Sequence, residues 1–237
     1  MKKLLVAVLS FAVVSAHAQT ADAVIQKYSA NMGGLEAFNK ISSVKMTGSY
    51  STQGNDFPMT LQIINGNAMR TDVDVMGQGV TNVFYNGKAW KVNPFAGVTT
   101  PTEVTGLELT DFKSQSNLAT QLMDYKARGY AVEMQGEEDV QGIKTFKVKL
   151  TNKDDSKVTT YFISTKDYTM IKSVTARDMQ GKTMDVESYY SDLKEFDGVK
   201  FFMLRESKVD GEIFQTVKFD KVELNIKIDE KIFEMPK

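Results

Sequence analysis

Ala68-Met69-Arg70-Thr71-Asp72-Val73-Asp74-Val75 alternates residue by residue. Met69, Thr71, Val73 and Val75 share one side of an extended chain, and Arg70, Asp72 and Asp74 share the other. A period of two predicts a strand with one covered face. The turn signal Asn65-Gly66-Asn67 stands just before it. Ahead of that turn, Phe57, Met59, Leu61 and Ile63 alternate with more polar neighbours, and 45–51 reads as a further strand. Downstream, 80–85 is a strand, Asn86-Gly87 is a second hairpin turn, and 88–92 carries Trp90, the only tryptophan. Short turns of this kind join antiparallel neighbours.

Farther out the pattern changes twice. Thr20 or Asp22 can cap a helix running to about Met32, with Val24, Ile25, Tyr28, Met32 and Leu35 on one stripe and Gly33-Gly34 stopping it. The stretch 93–106 holds Pro94, Pro101 and several threonines and reads as a long loop. The stretch 107–125 takes helical spacing through Phe112, Leu118, Leu122 and Tyr125. From Tyr130 strands resume at intervals of about ten residues. Tyr130-Val132-Met134 is one and Phe146-Val148-Leu150 is the cleanest; 158–164, 168–177, 184–190, 199–207 and 213–222 follow. Asp154-Asp155, Lys166-Asp167, Gln180-Gly181, Asp197-Gly198 and Asp210-Gly211 separate them with turn chemistry. No linker divides this series, so 19–237 reads as a single domain.

The chain has 237 residues, 42% of them hydrophobic and 25% charged, as in a folded globule. There is no cysteine, and the single histidine is His17. Lys2 and Lys3, the apolar run 4–14 broken by Ser10, and Ala16-His17-Ala18 form a secretory signal over 1–18. Cleavage after Ala18 leaves neither Cys nor His, which removes thiol nucleophiles, most nucleophile–base pairs and the common zinc sites. No cysteine follows the apolar run to carry a lipid anchor, and no later stretch is long and apolar enough to span a membrane. An exported periplasmic protein is expected. A net charge of −1 gives no field to attract nucleic acid.

About eleven strands in one antiparallel series cannot stay flat, because twist accumulates, so the sheet must curl or close. The space inside must then be filled, either by the chain's own helices or by a ligand beneath them. The fold class expected is mainly β: an incomplete, half-open antiparallel barrel with a helical lid. The alternating apolar positions that would line its cavity are Met59, Leu61, Ile63, Met69, Val73, Val75, Phe84, Trp90, Phe95, Met134, Phe146, Val148, Phe162 and Met184, with Leu118 and Leu122 from the helical insertion. The twelve methionines that remain after cleavage suit an adaptable pocket, although core filling is the plainer reading of any one of them.

The order of elements resembles the periplasmic lipoprotein carriers, the LolA/LolB-like lipoprotein-sorting proteins. Tyr85-Asn86-Gly87-Lys88-Ala89-Trp90-Lys91-Val92-Asn93-Pro94-Phe95 is similar to that family's strand, glycine turn, Trp strand and entry to the lid. Phe219, Val222, Leu224 and Asn225, followed by Asp229, Phe233 and Pro236, look like its closing strand and tail. The opening helix with Gly33-Gly34, then Ile41, Val44 and Gly48, resembles a LolA-like branch. The resemblance implies a half-open barrel closed by a helical lid, with acyl chains of lipoproteins held inside. Burying about fifteen methylenes is worth roughly 12 kcal/mol gross, so release requires a lid that moves. The resemblance also implies a lid latch at Arg70, although Thr71 stands where the family tends to have proline. The plainer reading pairs Arg70 with Asp72 or Asp74 on its own strand.

No catalytic or metal constellation emerges. Met76-Gly77-Gln78-Gly79 is a turn between strands, not a phosphate loop. Asp72 with Asp74, Glu137-Glu138-Asp139 and Asp154-Asp155 read as solvated acidic clusters. Lys144, Lys147, Lys149, Lys153 and Lys157 read as an outward basic face. The expectation is a monomeric, non-enzymatic carrier of an acylated lipoprotein or lipid, without cofactor. It would pass its load from an inner-membrane donor to an outer-membrane acceptor, with 93–125 as its gate. The rivals are an envelope lipid sensor or glycolipid-binding protein of the same fold, and a structural β-protein with a filled core.

Overall fold

The structure is a computed structural model that describes residues 19–236 apart from 154 and 180; the expected export signal, 1–18, lies outside the described residues. Thirteen strands form one sheet. The first half is a meander of β1 (Ser43–Thr52), β2 (Asn55–Ile64), β3 (Ala68–Val75), β4 (Gln78–Tyr85), β5 (Lys88–Asn93) and β6 (Val98–Val104). The second is a meander of β7 (Ala131–Val140), β8 (Ile143–Thr151), β9 (Val158–Ser164), β10 (Met170–Met179), β11 (Lys182–Phe196), β12 (Val199–Val209) and β13 (Glu212–Leu224). The last strand, β13, returns to pair antiparallel with β1 and joins the halves. The spatial order runs from β6 through β1 and β13 to β7, so β6 and β7 are free edges and the barrel is not closed.

Among the described residues four α-helices accompany the sheet: α1 (Ala21–Asn31), α2 (Leu35–Lys40), α3 (Gly106–Gln115) and α4 (Tyr125–Arg128). Thr20 caps α1, its hydroxyl accepting from the Ala23 amide at 3.2 Å. Ala21, Val24, Ile25 and Tyr28 make the buried stripe. The end of α1 docks on β12, where the Lys200 amide donates to the Met32 carbonyl at 2.9 Å. Gly33 makes that approach possible. Its φ is +111°, and a Cβ there would stand 2.3 Å from the Gly198 carbonyl oxygen.

Two expectations are corrected. The 93–106 stretch is not a long loop. Pro94–Ala96 forms one 3-10 turn ended by Gly97, and β6 then pairs with β5, raising the strand count to thirteen. Pro101 is tolerated because β6 is an edge strand and need not donate outward. Nor is 107–125 one helix. The first segment, α3, ends at Ser116, turns follow, and α4 is stopped by Gly129 at φ +68°.

Pairing register assigns the two faces. Val44 and Met46 of β1 sit opposite Ile63 and Leu61 of β2, Ile63 opposite Met69 of β3, Met69 opposite Phe84 of β4, and Phe84 opposite Ala89 of β5. These residues meet Phe112 and Leu109 of α3 in one hydrophobic cluster. On the other half-sheet Phe146, Val148, Leu150, Tyr161 and Ile163 meet α1, α2 and α4 in a second, larger cluster. The face carrying both is the inner face. Phe201 of β12 and Leu118 belong to both clusters, so the two halves share one continuous interior.

On the outer face the C-terminal segment covers one patch. Beyond β13 the chain turns back across β3–β5, and Phe233 packs on Ala68, Val83 and Trp90. The Trp90 Nε1–H donates to the Phe233 carbonyl at 3.0 Å, and the Tyr85 and Phe233 rings stack with centroids 5.9 Å apart.

Candidate ligand-binding face

The inner face brings together most of the residues expected to line a cavity. Ile63, Met69 and Phe84 are buried in the α3 cluster with Leu61 against it. Phe146, Val148 and Leu122 are buried in the α1 cluster with Met134 against it. Leu118 touches both. Register also places Met59, Val73 and Val75 on the inner face, beyond the reach of the helices. Met184 shares that face on β11, opposite Arg177 and two positions from buried Val186.

Three residues expected to line the cavity lie elsewhere, and Arg70 does not touch the lid. Trp90 pairs with Val83 on the outer face, one residue out of step with Ala89. Phe162 is also outward, between inner residues Tyr161 and Ile163, under the ammonium groups of Lys172 at 4.4 Å and Lys147 at 5.6 Å. Phe95 is 61% exposed in the turn before β6. Arg70 points outward, pairs with Asp72 at 2.7 Å, stacks over Trp90 and donates to the Ile232 carbonyl. It clamps the C-terminal tail, and the plainer reading of an Arg70–Asp72 pair is the one seen.

The interior beneath α1 is filled by the chain itself. Val24, Tyr28 and Leu122 have no exposed surface. The Tyr28 hydroxyl finds Thr120 Oγ1 at 3.4 Å, and burial pushes its pKa well up, so it stays a neutral phenol. Tyr161 is raised by the same loss of hydration. A cleft of about 430 Å³ opens between α1 and α4, bounded by Ile25, Ser29, Leu35, Met123, Tyr125 and Ala127. Such a volume is within the range of small-ligand sites. None of the residues expected from the sequence to line a cavity lines this cleft.

The segment between the free edges is strapped down by polar contacts that the sequence reading missed. Asp22 of α1 accepts from the Tyr125 hydroxyl and from Lys126 Nζ at 2.8 Å. The Lys126 bond first, then Tyr125, holds the Asp22 carboxyl below its ordinary range. Asp111 of α3 takes Lys157 Nζ at 2.7 and 3.0 Å, reaching the start of β9 on the opposite half-sheet. Glu108 of α3 takes Lys91 of β5 at 2.6 and 2.8 Å. Asn65, read only as a turn residue, is a junction. Its amide nitrogen donates to the Phe38 and Ile41 carbonyls at 2.9 and 3.0 Å, and its oxygen accepts from the Leu118 amide at 3.1 Å. Its place in a turn signal was visible in sequence; its partners 24 to 53 residues away were not.

The architecture is that of the LolA-like half-barrels. No family model and no curated protein matches the sequence. Among solved structures, a LolA superfamily protein from Nitrosomonas europaea matches with a TM-score of 0.57 at 13% identity, over 92% of this chain and 98% of that one. A putative outer membrane lipoprotein-sorting protein domain from Vibrio parahaemolyticus matches at 0.59 and 11%, over 90% and 95%. A DUF1329 family protein from Desulfovibrio piger matches at 0.57 and 13%, over 90% and 97%. At these identities the likeness is one of fold. It bears out the expected mainly β, half-open architecture with helices over its mouth.

Proposed function

We propose that this protein is a non-enzymatic carrier that shelters the acyl chains of a lipoprotein or lipid against the inner face of its sheet. The observation that carries the reading is the contrast within the mouth of the half-barrel. The apolar inner face is continuous, yet α3 closes its part of it with one buried aromatic, Phe112, partly buried Leu109 and two partly exposed ion pairs. Apolar area beneath a weakly held cover can be exchanged for a lipid chain at small net cost. Displacing α3 and the turns behind it would uncover Met69, Phe84 and Leu118 together. Work in the periplasm after removal of 1–18 belongs to the same proposal, as does transfer between an inner-membrane donor and an outer-membrane acceptor by a monomeric domain. A glycolipid-binding or sensing protein of the same fold would use the same face. Among the described residues no helix is long and apolar enough to cross a membrane.

The packing of Val24, Tyr28 and Leu122 under α1 favours a second reading, a β-protein whose interior is its own core. One experiment separates them. The protein is purified from its native compartment and weighed by native mass spectrometry, and bound material is extracted into solvent. An acylated peptide or lipoprotein is the expected result; a free lipid keeps the fold's use and moves it to lipid transfer. A ligand-free mass together with no uptake of a fluorescent fatty-acyl probe would establish the filled core and overturn the carrier.

A further inference from the structure

Two lysines on the inner face take their carboxylates from the cover. Lys91 of β5 is two positions from Ala89, which belongs to the α3 cluster, and so shares its face. Lys157 is two positions ahead of Thr159, which pairs with Leu150 and Thr175 on the inner face of the second half-sheet. Glu108 holds the first lysine at 2.6 and 2.8 Å, and Asp111 holds the second at 2.7 and 3.0 Å, each through both carboxylate oxygens. The two acids stand three positions apart on one side of α3, so a single helical turn reaches from one half-sheet to the other. The lysine side chains keep only 28% and 29% of their surface exposed. On the outer face Lys147, Lys149 and Lys172 differ, since they take carboxylates from neighbouring strands.

Both carboxylates belong to the element that must move. Leu109 and Phe112 follow them in sequence and pack on the sheet, so lifting α3 off Met69 and Phe84 takes both acids away together. Two ammonium groups are then left without partners, one on each half-sheet, beside an apolar floor. A neutral chain entering there gains apolar contact alone. A chain with an anionic head also replaces the ion pairs lost on opening, and charge-assisted bonds of this kind are the strong ones. A ligand shifts an equilibrium only by its differential affinity for the two states, so the anionic ligand opens the cover further.

We infer that Lys91 and Lys157 receive the phosphate or carboxylate head of an anionic amphiphile, and that Glu108 and Asp111 occupy them in its place while the cover is closed. The helix is a built-in competitor for the head, and the apolar inner face beneath it receives the chain. The site rests on the carrier reading and narrows it to ligands with an anionic head.

The test compares the mature chain with two double variants by isothermal titration below micellar concentration, using dodecyl phosphate, dodecanol and inorganic phosphate. Glu108→Gln with Asp111→Asn, and Lys91→Gln with Lys157→Gln, break the same two ion pairs. Both should therefore bind dodecanol at least threefold more tightly than the parent protein, with the circular dichroism spectrum unchanged. They should part over dodecyl phosphate. The variant that keeps its lysines should prefer it to dodecanol by at least tenfold, and the variant that lacks them should bind the two within threefold. Lys147→Gln with Lys149→Gln removes two charges from the outer face and should leave the parent's ratio unchanged. The same ratio in both inner-face variants would overturn the lysine site and leave the carrier standing. So would an outer-face variant that loses the preference, because net charge would then explain it. Dodecanol bound no more tightly by either inner-face variant than by the parent would overturn the competing role of α3. Inorganic phosphate binding as tightly as dodecyl phosphate would make this a free-anion site and remove the amphiphile. Binding of neither twelve-carbon probe would sink the carrier reading and this site with it.

Discussion

Helix α1 buries Ala21, Val24, Ile25 and Tyr28 and ends on the backbone of β12, whereas α3 buries Phe112 alone and leaves Leu107 68% exposed. Both lie on one face of one sheet. The first is held by packing, which is lost only when the core opens. The second is held by Phe112, partly buried Leu109 and two partly exposed ion pairs, each worth on the order of 1 kcal/mol. The lesson is that the same half-barrel carries a fixed plug and a cover that can lift. Local opening tracks how little apolar surface an element buries.

The largest effect should come from the plug. Tyr28→Ala removes a fully buried ring and should cost about 3–5 kcal/mol in urea unfolding. Phe112→Ala should cost no more than about 2, because α3 can detach while the sheet stays folded. Its signature should be faster amide exchange over 106–115 with protection of 21–31 unchanged. Equal costs for the two substitutions, with exchange rising in both helices together, would break the comparison and make α3 part of the core.

A smaller and finer test is pH. Asp22 is held below its ordinary 3.8 by Lys126 and then Tyr125, so its contact stabilises the fold at higher pH. That contribution should fade as pH falls through the lowered folded value. The same contact raises Lys126 above 10.5, so it should fade again as pH rises through the lysine's value. The protection factors of amides 125–128, corrected for the intrinsic pH dependence of exchange and measured from pH 7 to pH 3, should fall at the acid end. The acid step should vanish in Asp22→Asn. An unchanged profile in that variant would show that α4 is held by packing alone.

Much of the fold was legible because side-chain periodicity is a local property. The alternation of Met69, Thr71, Val73 and Val75 against Arg70, Asp72 and Asp74 assigned both strand and face correctly. The same rule failed at Trp90 and Phe162, since it supposes that only one face is covered. Here the tail brings Phe233 over Trp90, and lysine side chains shelter Phe162 from outside. The edge strand β6 was hidden by Pro101, which speaks against a central strand but not against an outer one. The helical spacing of Leu118 and Leu122 after Phe112 was accidental; both residues sit in turns and still reach the interior.

By itself, then, the sequence determined an antiparallel series of strands, their turns, one capped opening helix and the apolar face of most strands, all through contacts among near neighbours. Only the tertiary structure decided what covers each face. It turned Arg70 from a latch into a clamp on the tail and made Asn65 a junction between α2 and the cover. Those pairings join residues tens to more than a hundred positions apart. They depend on how far a thirteen-stranded sheet curls and where it stays open, which no stretch of local pattern encodes.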